Sequence, residues 1–260
     1  MKLKYSSING TFPGKKLKGV ERYKKLYHYT SFDSFVKIWL SKSLKFSPVS
    51  NVNDIQEKVI EASIINPEQI ELANSFIAIR KSFKQVSFTM DYDSYLKGSM
   101  SPMMWGLYAD KTKGVCIELD YNKIQFPRNC LKGIVEYKAI LNKYHGISPD
   151  IKTESDLNRF ILKHQKELFF TKNKCWSGEN EYRILSKEND FLNIENAISA
   201  VCLASFRSSE LDLVRKLING IIPIKIFTHD FALDNSAIPT LKDLDKILTS
   251  TSDNRGTVLL

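Results

Sequence analysis

The chain has 260 residues, of which 43% are hydrophobic, and its 38 basic and 29 acidic side chains give a formal net charge of +9. This length and composition suit one large or two small globular domains, and they exclude a collagen-like, coiled-coil or low-complexity protein. No apolar run approaches the roughly 20 residues that a transmembrane helix needs, and the basic N-terminus lacks the apolar stretch of a signal peptide.

The basic charge is concentrated at the N-terminus. Residues 1–25 carry eight basic side chains and one acidic side chain, which accounts for +7 of the net charge. The rest of the chain holds 30 basic and 28 acidic side chains and is nearly neutral. We therefore expect a basic N-terminal extension over 1–25, one globular domain over 26–235, and a C-terminal extension with a short helix over 236–260.

The globular pattern begins with a short aromatic strand over 26–30. A helix follows, for which Ser31 or Asp33 can supply the N-cap, and its apolar residues at 32, 35, 36 and 39 form one stripe. The further predicted elements are, in chain order, a strand at 44–47, a helix at 67–82 capped by Asn66, a strand at 85–90, a helix from 101, strands at 114–119 and 131–140, a helix at 150–170, strands at 181–186 and 198–204, a helix from 208 to 220, an edge strand at 221–227 and a short helix at 241–248.

Regular alternation of strand and helix is absent from this order of elements. A doubly wound parallel sheet requires that alternation, so the pattern favours a different class. We predict an α+β fold, a single domain with a split mixed or antiparallel β core flanked by helices.

The cysteines indicate a reducing compartment. Cys116, Cys130, Cys175 and Cys202 are widely spaced, form no C-x-x-C pair, and three of them lie in or next to apolar runs. This usage is typical of a cytoplasmic protein. None of the four histidines lies near a cysteine at zinc-finger spacing, so no metal site is predicted.

The sequence contains no phosphate-loop, dinucleotide-binding, zincin or hydrolase-elbow signature. The residues that could bind a ligand or catalyse a reaction lie in three polar–aromatic clusters. In the first cluster, residues 27–30, His28 lies in a strand that ends beside a helix N-terminus. There an imidazole can donate a hydrogen bond to a hydroxyl or amide of a ligand. The alternative is a core histidine that the backbone satisfies.

The second cluster, residues 103–110, is aromatic. Trp105 and Tyr108 are three residues apart and share one face of the predicted helix. They can form the wall of a cavity for a flat ligand, or they can be ordinary aromatic packing in the core. The sequence pattern leaves both interpretations open.

The third cluster, residues 174–184, is rich in charge. Alternation in a strand places Glu179, Glu181 and Arg183 on one side. A carboxylate at the mouth of a strand can stabilise an oxocarbenium-like centre and accept a hydroxyl proton. The alternative is a surface ion pair between Glu181 and Arg183.

The ordered set of motifs resembles the ADP-ribosyltransferase superfamily. Residues 27–31 followed by 44–47 resemble the opening of DarT-type DNA-modifying toxins and of RNA 2′-phosphotransferases. More closely, the chain is similar over roughly 26–228 to the bacterial family called Domain of Unknown Function 2971. The residues that carry this likeness are His28, the 51–54 loop, 87–89, Trp105 with 108–110, 113–117, Trp176 with 181–183, and 205–217.

The resemblance implies a split α+β fold that holds NAD, as a substrate, in a cleft between two small sheets. In the superfamily a first-strand histidine holds the ribose and the nicotinamide amide, and this role falls on His28. A middle-strand residue, Thr89 or Ser87, contacts the nicotinamide. The late-strand Glu181 activates the acceptor and stabilises the ribosyl cation. The expected catalytic residues are thus Glu181 and His28, and the expected NAD-binding residues are His28, Tyr29, Thr30, Ser87, Thr89, Trp105, Tyr108 and Arg183.

By this resemblance we expect an NAD-dependent ADP-ribosyltransferase, a bacterial toxin or phage-defence effector with a nucleic-acid or protein acceptor, an antitoxin or defence-system partner, and no membrane association. Two alternatives remain. One is a nucleic-acid-binding or nuclease-like module whose basic N-terminal extension contacts phosphate. The other is an inactive nucleotide-binding or interaction domain that keeps only the fold.

Overall fold

The structure is a computed structural model that describes residues 25–51, 70–139, 150–204, 208–231 and 237–244. Helices and strands are interspersed in these residues, and most neighbouring strands are antiparallel, with two parallel pairs. The predicted α+β class with a mixed sheet is therefore confirmed. Three features named in the sequence analysis lie outside the described residues: most of the basic N-terminal extension, residues 52–54 of the 51–54 loop, and the predicted helix cap Asn66.

The described strands and helices are numbered here in chain order. The strands are β1 (Lys25–Thr30), β2 (Ser43–Lys45), β3 (Ser47–Pro48), β4 (Lys84–Met90), β5 (Val115–Asp120), β6 (Cys130–Ile134), β7 (Glu136–Lys138), β8 (Thr171–Asn173), β9 (Glu181–Ser186), β10 (Phe191–Asn193), β11 (Ile198–Leu203), β12 (Ile224–Phe231) and β13 (Ala237–Asp243). The helices are α1 (Phe32–Ser41), α2 (Ile70–Lys81), α3 (Pro102–Tyr108), α4 (Glu154–Lys163), α5 (Gln165–Phe169) and α6 (Ser208–Ile218). No helix among them is long and apolar enough to span a bilayer.

The chain divides into two compact units. Unit 1 takes its described residues from Leu44–Ser87 and Gln125–Leu192. Unit 2 takes its described residues from Gly19–Ser43, Phe88–Ile124 and Asn193–Leu260. The boundary falls within β4, which contributes its first residues to unit 1 and its last three to unit 2.

Unit 2 is built on a sheet in which β1 lies between β5 and the end of β4. Both pairings are antiparallel, and β5 continues to β11, β12 and β13. The pairing of β11 with β12 is the parallel one in this unit. Strand β5 pairs along the whole of β1, whereas the end of β4 pairs only with Leu26 and Tyr27. One face of this sheet carries a core cluster of Tyr27, Tyr29, Met104, Trp105, Ala109, Cys116 and Cys202.

The first helix of unit 2 begins where the sequence predicts. The Ser31 hydroxyl accepts a hydrogen bond of 3.3 Å from the backbone N–H of Ser34, which satisfies one orphan donor of the first turn. Phe35 and Trp39 of the predicted apolar stripe are buried. The Trp39 indole N–H donates to the carbonyl oxygen of Leu217 at 2.9 Å, so α1 is joined to α6.

Unit 1 contains a second group of paired strands. Strand β4 pairs with β3 and neighbours β9, and β9 pairs antiparallel with β6. Strands β7 and β8 form a separate parallel pair. Helices α2, α4 and α5 supply most of the core around these strands, and the rings of Phe83 and Phe169 lie 4.5 Å apart within it.

The predicted helix over 150–170 is two helices in the structure. Helix α4 begins after a capping box formed by Thr153 and Asp156. It ends at His164, whose φ of −109° and ψ of 21° depart from helical values, and α5 starts at the next residue. The apolar spacing continues through the break, so the periodicity alone does not reveal it.

The structure differs from two predictions near the C-terminus. Strand β12 is not an edge strand, because β11 and β13 pair with it on its two sides. Pro223 precedes the strand, so its missing N–H removes no ladder bond. The predicted helix at 241–248 starts later than expected, because residues up to Asp243 belong to β13, with Leu241 opposite Phe227, and Leu244 is helical. The rest of the predicted helix, 245–248, lies outside the described residues. Pairing with β12 satisfies the backbone of the strand.

Candidate functional site

Four charged side chains meet in the interior of unit 1. Lys172 comes from β8, Glu179 ends a 3₁₀ turn, and Glu181 and Arg183 come from β9. Each of the four residues is no more than 4% exposed. Buried charges persist only when they are paired and hydrogen-bonded, so two carboxylates and two cations form a balanced set.

The local chain path explains why these side chains converge. Asn180 adopts a left-handed conformation with φ of 45°, which ends the turn and lets β9 begin at the next residue. Successive side chains of a strand alternate between faces, so Glu181 and Arg183 point to the same side. The prediction that these two side chains share one face of the strand is therefore confirmed, and their pairing depends on it.

Arg183 holds Glu181 in a bidentate ion pair. The guanidinium Nε lies 2.8 Å from Glu181 Oε1, and Nη2 lies 2.9 Å from Oε2. Its Nη1 donates to the carbonyl oxygen of Phe169 at 2.8 Å. The alternative stated above, a surface ion pair, is thus correct in its partners and wrong in its location, because both side chains are buried.

Lys172 links the second carboxylate to the first. Its Nζ lies 2.5 Å from Glu179 Oε2 and 3.7 Å from Glu181 Oε2. The same Nζ lies 4.8 Å from the centre of the Trp176 ring, within the range of a cation–π contact. The sequence analysis did not single out Lys172. Only charge balance could have indicated Lys172. If Glu179, Glu181 and Arg183 are all buried, the two carboxylates and one guanidinium need a second cation.

The backbone and two hydroxyl groups complete the surroundings of Glu181. Its N–H donates to the Tyr137 hydroxyl at 2.9 Å. Burial, followed by the charge of Glu181, raises the pKa of Tyr137. The side chain of Ser87, an expected NAD-binding residue, hydrogen-bonds to the Glu181 carboxylate.

The Glu181 carboxyl is held ionised. Burial raises its pKa, but the charge and hydrogen bonds of Arg183 oppose burial, and the pKa falls from an ordinary 4.5 to about 2. The charge of Lys172 and the hydrogen bond from Ser87 contribute to this lowering of the pKa. At neutral pH this group can therefore accept a hydrogen bond or oppose a positive charge, and it has no proton to donate.

In unit 2, His28 and Thr89 lie on opposite faces of the sheet. Thr89 is directly opposite Tyr27 in the β1–β4 register, and paired residues share a face. His28, one residue further along β1, makes an edge contact with the ring of Phe88 at 5.8 Å. Phe88 and Thr89 are consecutive in β4 and point in opposite directions. The structure therefore does not bring His28 and Thr89 together.

Tyr29 and Trp105 are packed against each other in the core of unit 2. Their rings meet edge to face at 5.2 Å, and the Trp105 indole N–H donates to the carbonyl oxygen of Ser99 at 2.8 Å. The Tyr29 hydroxyl donates to the carbonyl oxygen of Gly98 at 2.5 Å. Trp105 is only 1% exposed, so its placement fits the core-packing interpretation, and half-buried Tyr108 packs against the same cluster.

Thr30 and Thr89 are also buried in unit 2. A Cβ at Gly114 would collide with the Thr30 carbonyl oxygen, which shows how closely the chain passes Thr30. The Thr89 hydroxyl has no hydrogen-bond partner among the described residues, although it is 1% exposed. An unsatisfied buried hydroxyl is uncommon in a native protein and marks Thr89 as a position that ordinary packing does not explain.

The predicted site residues are thus distributed over both units. Ser87, Glu181 and Arg183 are in contact in unit 1. The others lie in unit 2 on two faces of its sheet, namely His28, Tyr29, Thr30, Thr89, Trp105 and Tyr108. In the described part of the chain no group of three or more His, Cys, Asp or Glu side chains could hold a metal ion.

One family model matches part of the chain. A family model described as "Protein of unknown function (DUF2971)" matches residues 104–184. This match runs from α3 through Glu181 and Arg183, and it supports the relationship to Domain of Unknown Function 2971 expected from the sequence. No curated protein and no solved structure matches the chain.

Proposed function

We propose that the protein is an NAD-dependent ADP-ribosyltransferase, with Glu181 as its catalytic carboxylate. Its cellular role would be that of a cytoplasmic bacterial toxin or phage-defence effector, with a nucleic acid or a protein as acceptor. The observation that carries the proposal is the buried Glu181 carboxylate, which Arg183 and Lys172 keep ionised.

An ionised carboxylate suits the chemistry of this reaction. When the bond between ribose and nicotinamide breaks, nicotinamide leaves with the bonding electron pair and positive charge develops at the ribose carbon. A fixed negative charge in a water-poor interior opposes that charge most effectively when it is already in place. Glu181 can also accept a hydrogen bond from a ribose or acceptor hydroxyl, as Ser87 already demonstrates.

The resemblance supplies the remaining roles in the proposal. His28 would hold the ribose and the nicotinamide amide, and the half-buried imidazole retains access for this role. Arg183 would act as a positioning residue, because its bidentate contact fixes both carboxylate oxygens of Glu181.

A second candidate is a nucleotide-binding domain that performs no transfer. The observation that favours it is the full engagement of Glu181, whose two oxygens already accept hydrogen bonds from Arg183. In that case NAD would raise the unfolding temperature of the protein without being consumed.

Label transfer from NAD separates the two candidates. The purified full chain is incubated with NAD labelled in its adenylate phosphate and with single-stranded DNA, duplex DNA, RNA or a protein extract. We expect labelled acceptor with the wild type and a loss of at least about 100-fold with Glu181→Gln, the size of effect seen when one transition-state contact is removed.

The matched control is Asp190→Asn. Asp190 is a surface carboxylate of the same unit, paired with Lys84, and its side chain is 67% exposed. This variant should keep wild-type transfer. Circular dichroism checks that both variants are folded. Equal labelling by a folded Glu181→Gln variant would refute the catalytic assignment, and NAD stabilisation without any turnover would favour the second candidate.

A further inference from the structure

Two cysteines of unit 2 lie directly opposite each other in its sheet. Cys116 of β5 is the register partner of Cys202 of β11, and both are free thiols. The pairs on either side of this one are also in register, and the register shift of this ladder lies near its other end, between Ile198 and Ala200. Because directly paired residues share a face, the two thiols emerge side by side on the same face of the sheet.

This pairing gives the two residues a separation that a disulfide can span. Directly opposite residues in an antiparallel pair have Cα atoms about 4.5–5.5 Å apart. A disulfide links Cα atoms that are about 4.4–6.8 Å apart. The two thiols already hydrogen-bond to each other. The backbone of β5 and β11 therefore suits a bond between the two sulfur atoms.

The surroundings of the pair restrict what an oxidised sulfur can react with. Both side chains are fully buried in the core cluster that contains Tyr29 and Trp105. A mixed disulfide with a bulky thiol such as glutathione has no room there. The other two cysteines of the chain, Cys130 and Cys175, belong to unit 1. Each core thiol thus has the other as its immediate partner.

We propose that Cys116 and Cys202 are an oxidative modification site, which hydrogen peroxide converts into a cross-strand disulfide. One thiol first attacks a peroxide oxygen, so an S–O bond forms, the O–O bond breaks, and a sulfenic acid and one water result. The second thiol then displaces the hydroxyl group from that sulfur, which forms the S–S bond and releases a second water. The two sulfurs together lose two electrons, and peroxide accepts them.

The two steps should differ in rate. Burial raises the pKa of the Cys116 thiol, so little thiolate is present at neutral pH and the first step is slow. Hydrogen peroxide is little larger than water, so local openings of the sheet that exclude larger thiol reagents admit it. The second step is fast because the partner thiol is already in place. The site requires no NAD, so it stands or falls independently of the proposed transferase activity.

Peptide mapping of the peroxide-treated full chain provides the first test. Peroxide is removed with catalase, the remaining thiols are alkylated, and the digest is analysed by mass spectrometry. In the folded protein we expect a peptide that links Cys116 to Cys202 and that dithiothreitol separates. The matched control is the same chain oxidised in urea. There Cys130 is much closer in sequence to Cys116, so loop closure should favour that link over the Cys202 link by more than about tenfold.

Thermal unfolding provides the second test. The disulfide closes a long loop of the unfolded chain, so peroxide treatment should raise Tm by about 5 °C in the wild type and in Cys130→Ser. Cys116→Ser should show no such increase, which also controls for oxidation elsewhere in the chain.

Three results would overturn the proposal. One is sulfinic or sulfonic acid at the two core cysteines without a link between them. Another is a folded protein in which peroxide has oxidised Cys175 completely while both core thiols remain free. The third is a linked protein that unfolds at a lower temperature than the reduced one, because the bond would then not fit the native sheet. The mapping experiment needs no variant, so it is decisive even if Cys116→Ser fails to fold.

Discussion

Arg183 and Glu181, two residues apart on β9, form a bidentate ion pair in which neither side chain is more than 5% exposed. Arg183 also donates to the backbone at Phe169. The pair thus connects β9 to the end of α5. The site and the core of unit 1 therefore depend on the same contact, and stability and chemistry can be tested together.

Breaking this pair should be costly. Glu181→Gln leaves the buried Arg183 charge without its partner, which we expect to lower the free energy of unfolding by about 3–5 kcal/mol. The double variant Glu181→Gln with Arg183→Met removes both charges and should be more stable than the single one. Urea unfolding measures all three proteins. Asp190→Asn, at the surface, should cost less than about 1 kcal/mol. A single variant no more destabilised than this control would contradict the prediction.

Acid should remove the contribution that the ionised Glu181 carboxylate makes to the free energy of unfolding. Its pKa is about 2 in the folded protein and 4.5 ordinarily, so the folded state binds the proton less readily. The stabilisation is therefore complete above about pH 4.5 and is lost as the pH falls through about 2. Urea unfolding between these pH values should show a steeper decline for the wild type than for Glu181→Gln. Parallel pH profiles of the two proteins would show that Glu181 titrates normally.

Replacement by alanine at two glycines of unit 2 should change the stability of the protein in opposite directions. A Cβ at Gly98 would collide with the Tyr27 ring and lie 2.7 Å from the Met90 carbonyl oxygen. Gly98→Ala should thus cost about 1–3 kcal/mol. Gly106 lies in α3 with nothing within 4 Å of a new Cβ, so Gly106→Ala should stabilise by about 0.5–1 kcal/mol. Thermal unfolding compares them, and a stabilising Gly98→Ala would show that this segment can shift at little cost.

The buried hydroxyl of Thr89 should be dispensable for folding. Because it has no partner among the described residues, Thr89→Val should leave stability unchanged or raise it by up to about 1 kcal/mol. Tyr29→Phe removes the hydroxyl that donates to Gly98, so it should cost about 1–2 kcal/mol. Urea unfolding of both variants gives the comparison. Equal losses would mean that the Thr89 hydroxyl does have a stabilising contact.

Three of the four thiols should react at clearly different rates. Cys175 is exposed and should react with a thiol reagent in the native protein. Cys116 and Cys202 face each other across β5 and β11 and are fully buried, and burial raises the pKa of the Cys116 thiol. We expect both to react only after unfolding in urea. Absorbance at the reagent wavelength follows the reaction, and Cys175→Ser should abolish its fast phase. Fast labelling of Cys116 would indicate that the sheet opens.

The sequence predicted most of the individual elements because local rules govern them. The apolar stripe of α1 and the capping by Ser31 were correct, since spacing and side-chain chemistry suffice to specify a helix start. The break at His164 and the strand at β13 were not predicted. The strand β13 depends on its pairing with β12, which the residues of 237–243 do not reveal by themselves.

For the candidate site, strand alternation determined which side chains share a face, and this was enough to place Glu181 beside Arg183. The sequence by itself could not decide whether that face is covered. Tertiary structure buried the pair, brought in Lys172 and Tyr137 from other strands, and thereby held the Glu181 carboxylate ionised. It also decided that His28 and Thr89 point to opposite faces, because that depends on the register of β1 against β4. Periodicity is a local property of the chain, whereas register, burial and the pKa values that follow from them are set by residues far apart in sequence.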